Sequence, residues 1–207
     1  MCSLEKRGNL FILILTGQNG EHRLNPNLFS SIISALSRAK AESTRGSALV
    51  TVSHGKFFCN GFDLDWVNAA GSDEETQQRF NLLLDYLKQL VLAFISLPMP
   101  TIAAVNGHAA AGGVVLALCH DYVLMRRHRS VLYMIDLDLG IKIPEPFMAL
   151  FRQKFGLGSA RSITARVEDK RRRSTENGYS GSVYDGEEEV TNSGIEMADD
   201  WPKELAW

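Results

Sequence analysis

Cysteine is scarce in this chain, with three in 207 residues. Cys2, Cys59 and Cys119 are odd in number and irregularly spaced, which supports neither a disulfide framework nor a zinc site and reads as free thiols in a reducing compartment. An excess of positive charge is also missing. Lys plus Arg number 22 against 24 Asp plus Glu, a formal net charge of -2, which argues against nucleic acid as the main partner. No apolar run reads as a membrane span. The longest, Leu90 to Val105, is broken by Pro98 and Pro100, and Ala109 to Cys119 is too short. The polar opening, Met1 to Gly8, does not read as a secretory signal. No internal repeat of fixed period is visible.

What is present suits one domain of ordinary size with a sizeable core, since 45% of residues are hydrophobic. Leu10–Leu15, Ala48–Val52, Thr101–Val105, Tyr122–Met125 and Val131–Met134 read as short strands. Asn25-Pro26 reads as a helix start with proline in the first turn, and Leu28, Ile32, Ala35 and Leu36 give that helix one apolar face. Phe80, Leu83, Leu84, Leu87, Leu90, Val91 and Phe94 follow helical spacing until Pro98. Further helices are expected over Gly112–Cys119 and Glu145–Phe155. Strands and helices alternate, which predicts an α/β domain with a parallel sheet whose strands are buried on both faces. From Arg161 onward aliphatic residues thin out, with a basic run at Lys170–Arg173 and an acidic one at Glu187–Glu189. That stretch, 161–207, reads as a divergent region, partly disordered or helical, beside a core over 1–160.

Two segments carry chemistry. The first, Ser53-His54-Gly55-Lys56-Phe57-Phe58-Cys59-Asn60-Gly61-Phe62-Asp63-Leu64, follows a strand and leads into a helix. Such a turn can aim backbone N–H groups at a helix start, where negative charge is favoured; a plain glycine turn with an aromatic plug is the bland alternative. The second runs from Pro100 to Gly113: a buried strand enters the small-residue turn Asn106-Gly107-His108-Ala109-Ala110-Ala111-Gly112-Gly113, and an apolar helix leaves it. Small residues let a ligand approach the backbone closely, or let a helix pack tightly on its sheet.

Together the two blocks, in this order and separation, resemble the signature of the enoyl-CoA hydratase/isomerase (crotonase) superfamily over roughly residues 8–160. The run Leu97–Val105 and Asp121–Arg126 look most similar to the plant peroxisomal Δ3,Δ2-enoyl-CoA isomerases. The resemblance implies a crotonase-like spiral of ββα units with a C-terminal helical region, here truncated or altered, because the pattern is lost over about 162–181 and returns at Ser182–Val190. It implies an acyl-CoA thioester as ligand, with coenzyme A part of the substrate and no separate cofactor or metal. The backbone amides of Phe62 and Gly112 would hold the thioester oxygen. Arg23, Lys56, Phe58, Gly61, Asp63, Leu64 and Gly113 would line the substrate site, and Arg23 or Lys56 would pair with a CoA phosphate. A homotrimer and a peroxisomal address are implied by the same resemblance, although Leu205-Ala206-Trp207 is not the Ser-Lys-Leu type of signal and the cytoplasm stays open.

The resemblance also places the acid–base groups. Hydratases of the family carry a glutamate three residues after the second donor; Val115 stands there, and it cannot move a proton. The isomerase base position falls on Asp136, where the family has glutamate, with Glu145 as the second candidate. The implied activity is moving a 3-enoyl-CoA double bond to trans-2-enoyl-CoA in β-oxidation. A catalytically weak acyl-CoA-binding paralogue is the alternative. His108, as a lone histidine, is an acid–base candidate on pKa grounds. Cys59 lies beside the first donor with no base in view to activate it.

Overall fold

The structure is a computed structural model and describes residues 1–127, 129–134, 143–164 and 183–199. The chain opens with strands β1 (Cys2–Arg7) and β2 (Leu10–Leu15), then helix α1 (Pro26–Glu42) and strands β3 (Ala48–Ser53) and β4 (Phe57–Cys59). Helices α2 (Leu64–Asn68) and α3 (Asp73–Ile95) follow, then β5 (Thr101–Val105), β6 (His108–Ala110), α4 (Gly112–Leu118) and β7 (Tyr122–Arg126). The chain continues with β8 (Leu132–Tyr133), α5 (Glu145–Thr164), β9 (Val183–Tyr184) and α6 (Glu187–Asp199).

Two sheets result. The larger has the order β1-β2-β3-β5-β7-β9 and the smaller β4-β6-β8. Only β1 runs antiparallel in the large sheet; the other pairings are parallel. Parallel strands need both faces covered, and the side chains sort accordingly with the two-residue strand period. Phe11, Leu13, Leu49, Ala103, Val105, Val123 and Met125 face the core built with α1, α3 and α4. Leu10, Ile12, Val50, Val52, Ile102, Ala104 and Leu124 face the opposite way, against Val190 and Ala198 of α6.

Three strands differ from the sequence expectation. Cys2–Arg7 reads as polar, yet it forms β1 by pairing along the whole of β2; as an edge strand it can leave its outer face wet. Phe57–Cys59 and His108–Ala110, read as loop and turn, are the paired strands β4 and β6. Three-residue strands carry too little pattern to be seen locally. The described part of the 161–207 stretch is joined to the core. β9 pairs with β7, and α6 lays Val190, Gly194 and Ala198, four residues apart, on the second face of the sheet. A Cβ built on Gly194 would stand 3.2 Å from Val50 Cγ1 and 3.5 Å from Ala104 Cβ, so glycine lets this helix approach closely. The basic run Lys170–Arg173 lies outside the described residues.

The termini of the helices are tied to the loops that matter below. Asn25 caps α1, its Oδ1 accepting from the Leu28 amide at 3.0 Å, while its Nδ2 donates to Asp63 Oδ2 at 3.1 Å. Asp63 in turn caps α2 through the Trp66 amide at 3.1 Å. One side-chain pair therefore holds two helix starts together. Under the other end of α4, His120 is fully buried, with Nδ1 2.9 Å from the Leu116 carbonyl and Nε2 2.7 Å from Thr51 Oγ1. A carbonyl can only accept, so Nδ1 carries the proton and Nε2 accepts from the threonine.

Candidate active site

Two turns face each other where the small sheet meets α4. The first is held by a parallel bridge between Leu24 and Phe62. Leu24 donates to the Gly61 carbonyl at 2.7 Å, and Asp63 donates to the Leu24 carbonyl at 3.0 Å. Both bonds belong to the neighbours of Phe62, so the Phe62 N–H points to the other side of the strand, and it has no acceptor among the described residues. Gly61 makes this turn possible with φ +74°, a conformation L side chains rarely adopt.

The second turn is anchored by the Ala111 amide, which donates to the Tyr133 carbonyl at 3.0 Å, and by the Ala111 carbonyl, which accepts from Val114 at 2.9 Å. Gly112, the first residue of α4, is left with an amide that has no acceptor among the described residues. Ala111 has φ 48° and ψ −118°, a strained combination for a residue with a Cβ. The strain lies in the residue that aims the Gly112 amide.

Gly112 and Gly113 are required for different reasons. A Cβ on Gly112 would stand 3.2 Å from the Phe62 ring and 3.3 Å from Leu24 Cδ1. A Cβ on Gly113 would collide with the carbonyl oxygen of Cys59 and stand 2.9 Å from its Cβ. That neighbour is backbone of β4, and it has nowhere to go. Gly113→Ala is therefore expected to cost about 1–3 kcal/mol through overpacking, read as a lowered midpoint in urea unfolding; an unchanged midpoint would show that α4 can lift from β4 freely.

Between the turns opens a cleft of about 340 Å³, counting its open mouth. Phe62 and Gly112 are on its wall with Val115. α3 contributes Phe80, Leu84 and Leu87 at helical spacing, and Met134, Ile143, Pro144 and Phe147 close the far side. No lining side chain carries a charge. Two of the lining residues, Phe62 and Gly112, carry amides without an acceptor among the described residues, and apolar surroundings strengthen the action of such donors on a developing negative charge.

The structure brings Phe62 and Gly112 to one cleft, with Gly61 and Gly113 shaping their turns. It places the other expected site residues elsewhere. Phe58 is fully buried in the core. Both oxygens of Asp63 are engaged in capping and in the Asn25 bond. Leu64 begins α2 and does not line the cleft. Arg23 is closely paired with Glu21 and lies 3.8 Å from Asp65 Oδ2; the bond to Glu21 raises the guanidinium pKa and lowers that of the carboxyl. Lys56 sits 5.3 Å from the Phe57 ring centroid. Glu145 is exposed and paired with Arg152, away from the cleft wall formed by its neighbours Pro144 and Phe147. Asp136 lies outside the described residues.

The other titratable candidates are not placed for chemistry. His108 lies edge-on to Phe57 at 5.8 Å, its pKa lowered by burial and then by the Lys56 charge. Cys59 is fully buried, donates to the His22 carbonyl at 3.2 Å, and has its thiol pushed up to about 12 by burial, so it is not a thiolate at neutral pH. Sequence reasoning missed the role of Phe80, Leu84, Leu87, Met134 and Phe147. An apolar stripe facing a cleft has the same spacing as one facing a core, so no local signal distinguishes the two. Among the described residues, no three His, Cys, Asp or Glu side chains converge as metal ligands, and no helix is long and apolar enough to cross a membrane.

Known proteins resemble this chain in sequence and in fold. The sequence profile described as enoyl-CoA hydratase/isomerase matches residues 13–174. The peroxisomal enoyl-CoA delta isomerase 2 of Arabidopsis thaliana is 48% identical over 202 residues, covering 96% of this chain and 84% of the relative. The peroxisomal enoyl-CoA delta isomerase 1 of the same plant is 44% identical, covering 97% and 82%. Among solved structures, an enoyl-CoA isomerase of Mycobacterium tuberculosis superposes with a TM-score of 0.83 at 20% identity, over 99% of this chain and 84% of that one. An enoyl-CoA hydratase of Mycobacterium marinum gives a TM-score of 0.82 at 19% identity, covering 99% and 85%. These structures share the crotonase fold with it, and with the profile spanning most of its length and a relative nearly half identical along both sequences, the chain belongs to the enoyl-CoA hydratase/isomerase family.

Proposed function

We propose that this protein is an enoyl-CoA delta isomerase that moves the double bond of a 3-enoyl-CoA to give trans-2-enoyl-CoA in fatty-acid β-oxidation. One observation carries the reading: Phe62 and Gly112, whose amides have no protein acceptors among the described residues, both stand on the wall of one uncharged cleft. A base removes a C2 proton, the electron pair spreads onto the thioester oxygen, and the two amides stabilise that charge without reorganising. Return of a proton at C4 completes the shift. The reaction is redox-neutral, and coenzyme A is the handle of the substrate. Val115, on the same wall, replaces the carboxylate that would activate water, which favours isomerisation over hydration.

Asp136 is the proposed base. Met134 and Ile143, on either side of it in the chain, both line the cleft. Glu145 has the weaker claim because its carboxylate faces out to Arg152. The names of the Arabidopsis relatives support a peroxisomal location, and a homotrimer is the assembly proposed with the family.

A second reading is favoured by one feature: aspartate is a methylene shorter than the family's glutamate. A misplacement of about 1 Å can cost about 100-fold, out of the 100- to 10,000-fold a general base supplies. That describes an acyl-CoA-binding protein with little turnover. Purified protein given 3-hexenoyl-CoA decides between them. Conversion to the conjugated thioester is expected, with Asp136→Ala about tenfold slower, the small remainder left to a short base. Full activity in Asp136→Ala would move the base elsewhere. An inert wild type that gains activity as Asp136→Glu would establish the second reading.

A further inference from the structure

We propose that the side chain of Phe62, separately from its backbone amide, sets how many acyl carbons the cleft admits. The proposal rests on the acyl-CoA reading of the cleft. The ring lies against the second turn: its Cε1 is 3.2 Å from where a Cβ on Gly112 would be. An acyl chain whose thioester oxygen sits between the two amides starts beside this ring.

Behind the ring is an aromatic wall. Phe62 meets Phe80 of α3 edge-on at 5.8 Å and Phe29 of α1 at 6.3 Å, and Phe29 stacks on Tyr86 at 5.5 Å. Phe29 is fully buried and Phe62 partly so. Phe62 therefore stands between the cleft and Phe29 of α1, held by that ring and by Phe80, its neighbour on the cleft wall. A short acyl chain passes in front of it. A longer one needs the space the ring fills.

Truncation opens that space without charging it. Interiors are close-packed, so removing the six ring carbons leaves room for about four to six chain carbons, lined by Phe29 and Phe80. Each methylene taken from water into such a site is worth about fourfold in affinity. Partial collapse of the cavity is expected to leave the equivalent of about two of these methylenes, so about tenfold overall is the expectation.

The test uses saturated ligands, so turnover plays no part. Hexanoyl-CoA and dodecanoyl-CoA are titrated calorimetrically into wild type, Phe62→Leu and Phe62→Ala. The ratio of the two Kd values is expected to move about tenfold toward dodecanoyl-CoA in Phe62→Ala and about threefold in Phe62→Leu. If Phe62→Ala does not fold, Phe62→Leu decides alone. A ratio that stays constant while both ligands weaken together is the mark of a packing role and overturns the inference, leaving the acyl-CoA reading intact. Failure of wild type to bind either ligand overturns that reading and the inference with it.

Discussion

In an Ala111→Gly background, Gly112→Pro is expected to convert 3-hexenoyl-CoA about 100- to 1000-fold more slowly than Gly112→Ala. Side-chain substitution leaves a backbone donor in place, so proline is the change that removes the Gly112 N–H. The position tolerates it in one respect: Gly112 is the first residue of α4, where proline's fixed φ suits a helix start. Ala111 is the obstacle. At ψ −118° its Cβ would crowd the proline ring, as residues before proline commonly do, and glycine at 111 removes that contact while relieving a strained φ of 48°. Gly112→Ala is the right reference, because it puts the same Cβ 3.2 Å from the Phe62 ring and keeps the donor. Steady-state kcat is the readout, with thermal melts confirming that both proteins are folded. Equal rates in the two would remove Gly112 from the oxyanion site and leave Phe62 as a lone donor.

The central strands and long helices are legible in the sequence because burial on both faces forces a continuous apolar run, as in Leu10–Leu15, and burial on one face forces a 3.6-residue stripe, as along α3. The turns of the site are legible for a different reason. Gly61 must adopt φ +74°, and Gly113 must clear the Cys59 carbonyl, so residue type is dictated by backbone geometry at those positions. β1 and β4 are not legible: their order comes from pairing with strands elsewhere in the chain, and the edge strand keeps a polar face. The protein partners of Asp63 and Arg23 also fall outside what a motif can say. Asp63 satisfies two helix starts, and Arg23 is drawn to Glu21 and Asp65, because their nearest partners are protein groups brought in by the fold. α6 is hidden by its composition: Val190, Gly194 and Ala198 make a thin apolar stripe, and only the close approach permitted by Gly194 lets that stripe cover the sheet.

Acid is expected to weaken the fold well above the carboxylate range, because His120 must stay neutral. Its ring is fully buried, 4.3 Å from Phe94, and its pKa is pushed down to about 4, chiefly by burial. Protonation would also remove the lone pair that accepts from Thr51 Oγ1 at 2.7 Å. In the unfolded chain the same group titrates near the ordinary histidine value, about 6.5. Above that pH both states hold a neutral ring and the group gives no pH dependence. As pH falls from about 6.5 to about 4, the unfolded state takes up a proton that the folded state refuses, so stability falls by about 1.4 kcal/mol per pH unit once well below 6.5, to a total of about 3 kcal/mol. Below about 4 the folded state is protonated too, and this contribution to the slope vanishes. His22, its pKa also lowered mainly by burial, acts with the same sign. Urea unfolding at closely spaced pH values measures the slope, and His120→Gln separates the causes. Glutamine keeps a neutral polar group under α4 but cannot titrate, so it is expected to lower stability at pH 7 and to flatten the acid slope. A wild-type slope that persists unchanged in His120→Gln would assign the acid sensitivity to the other buried histidine, His22.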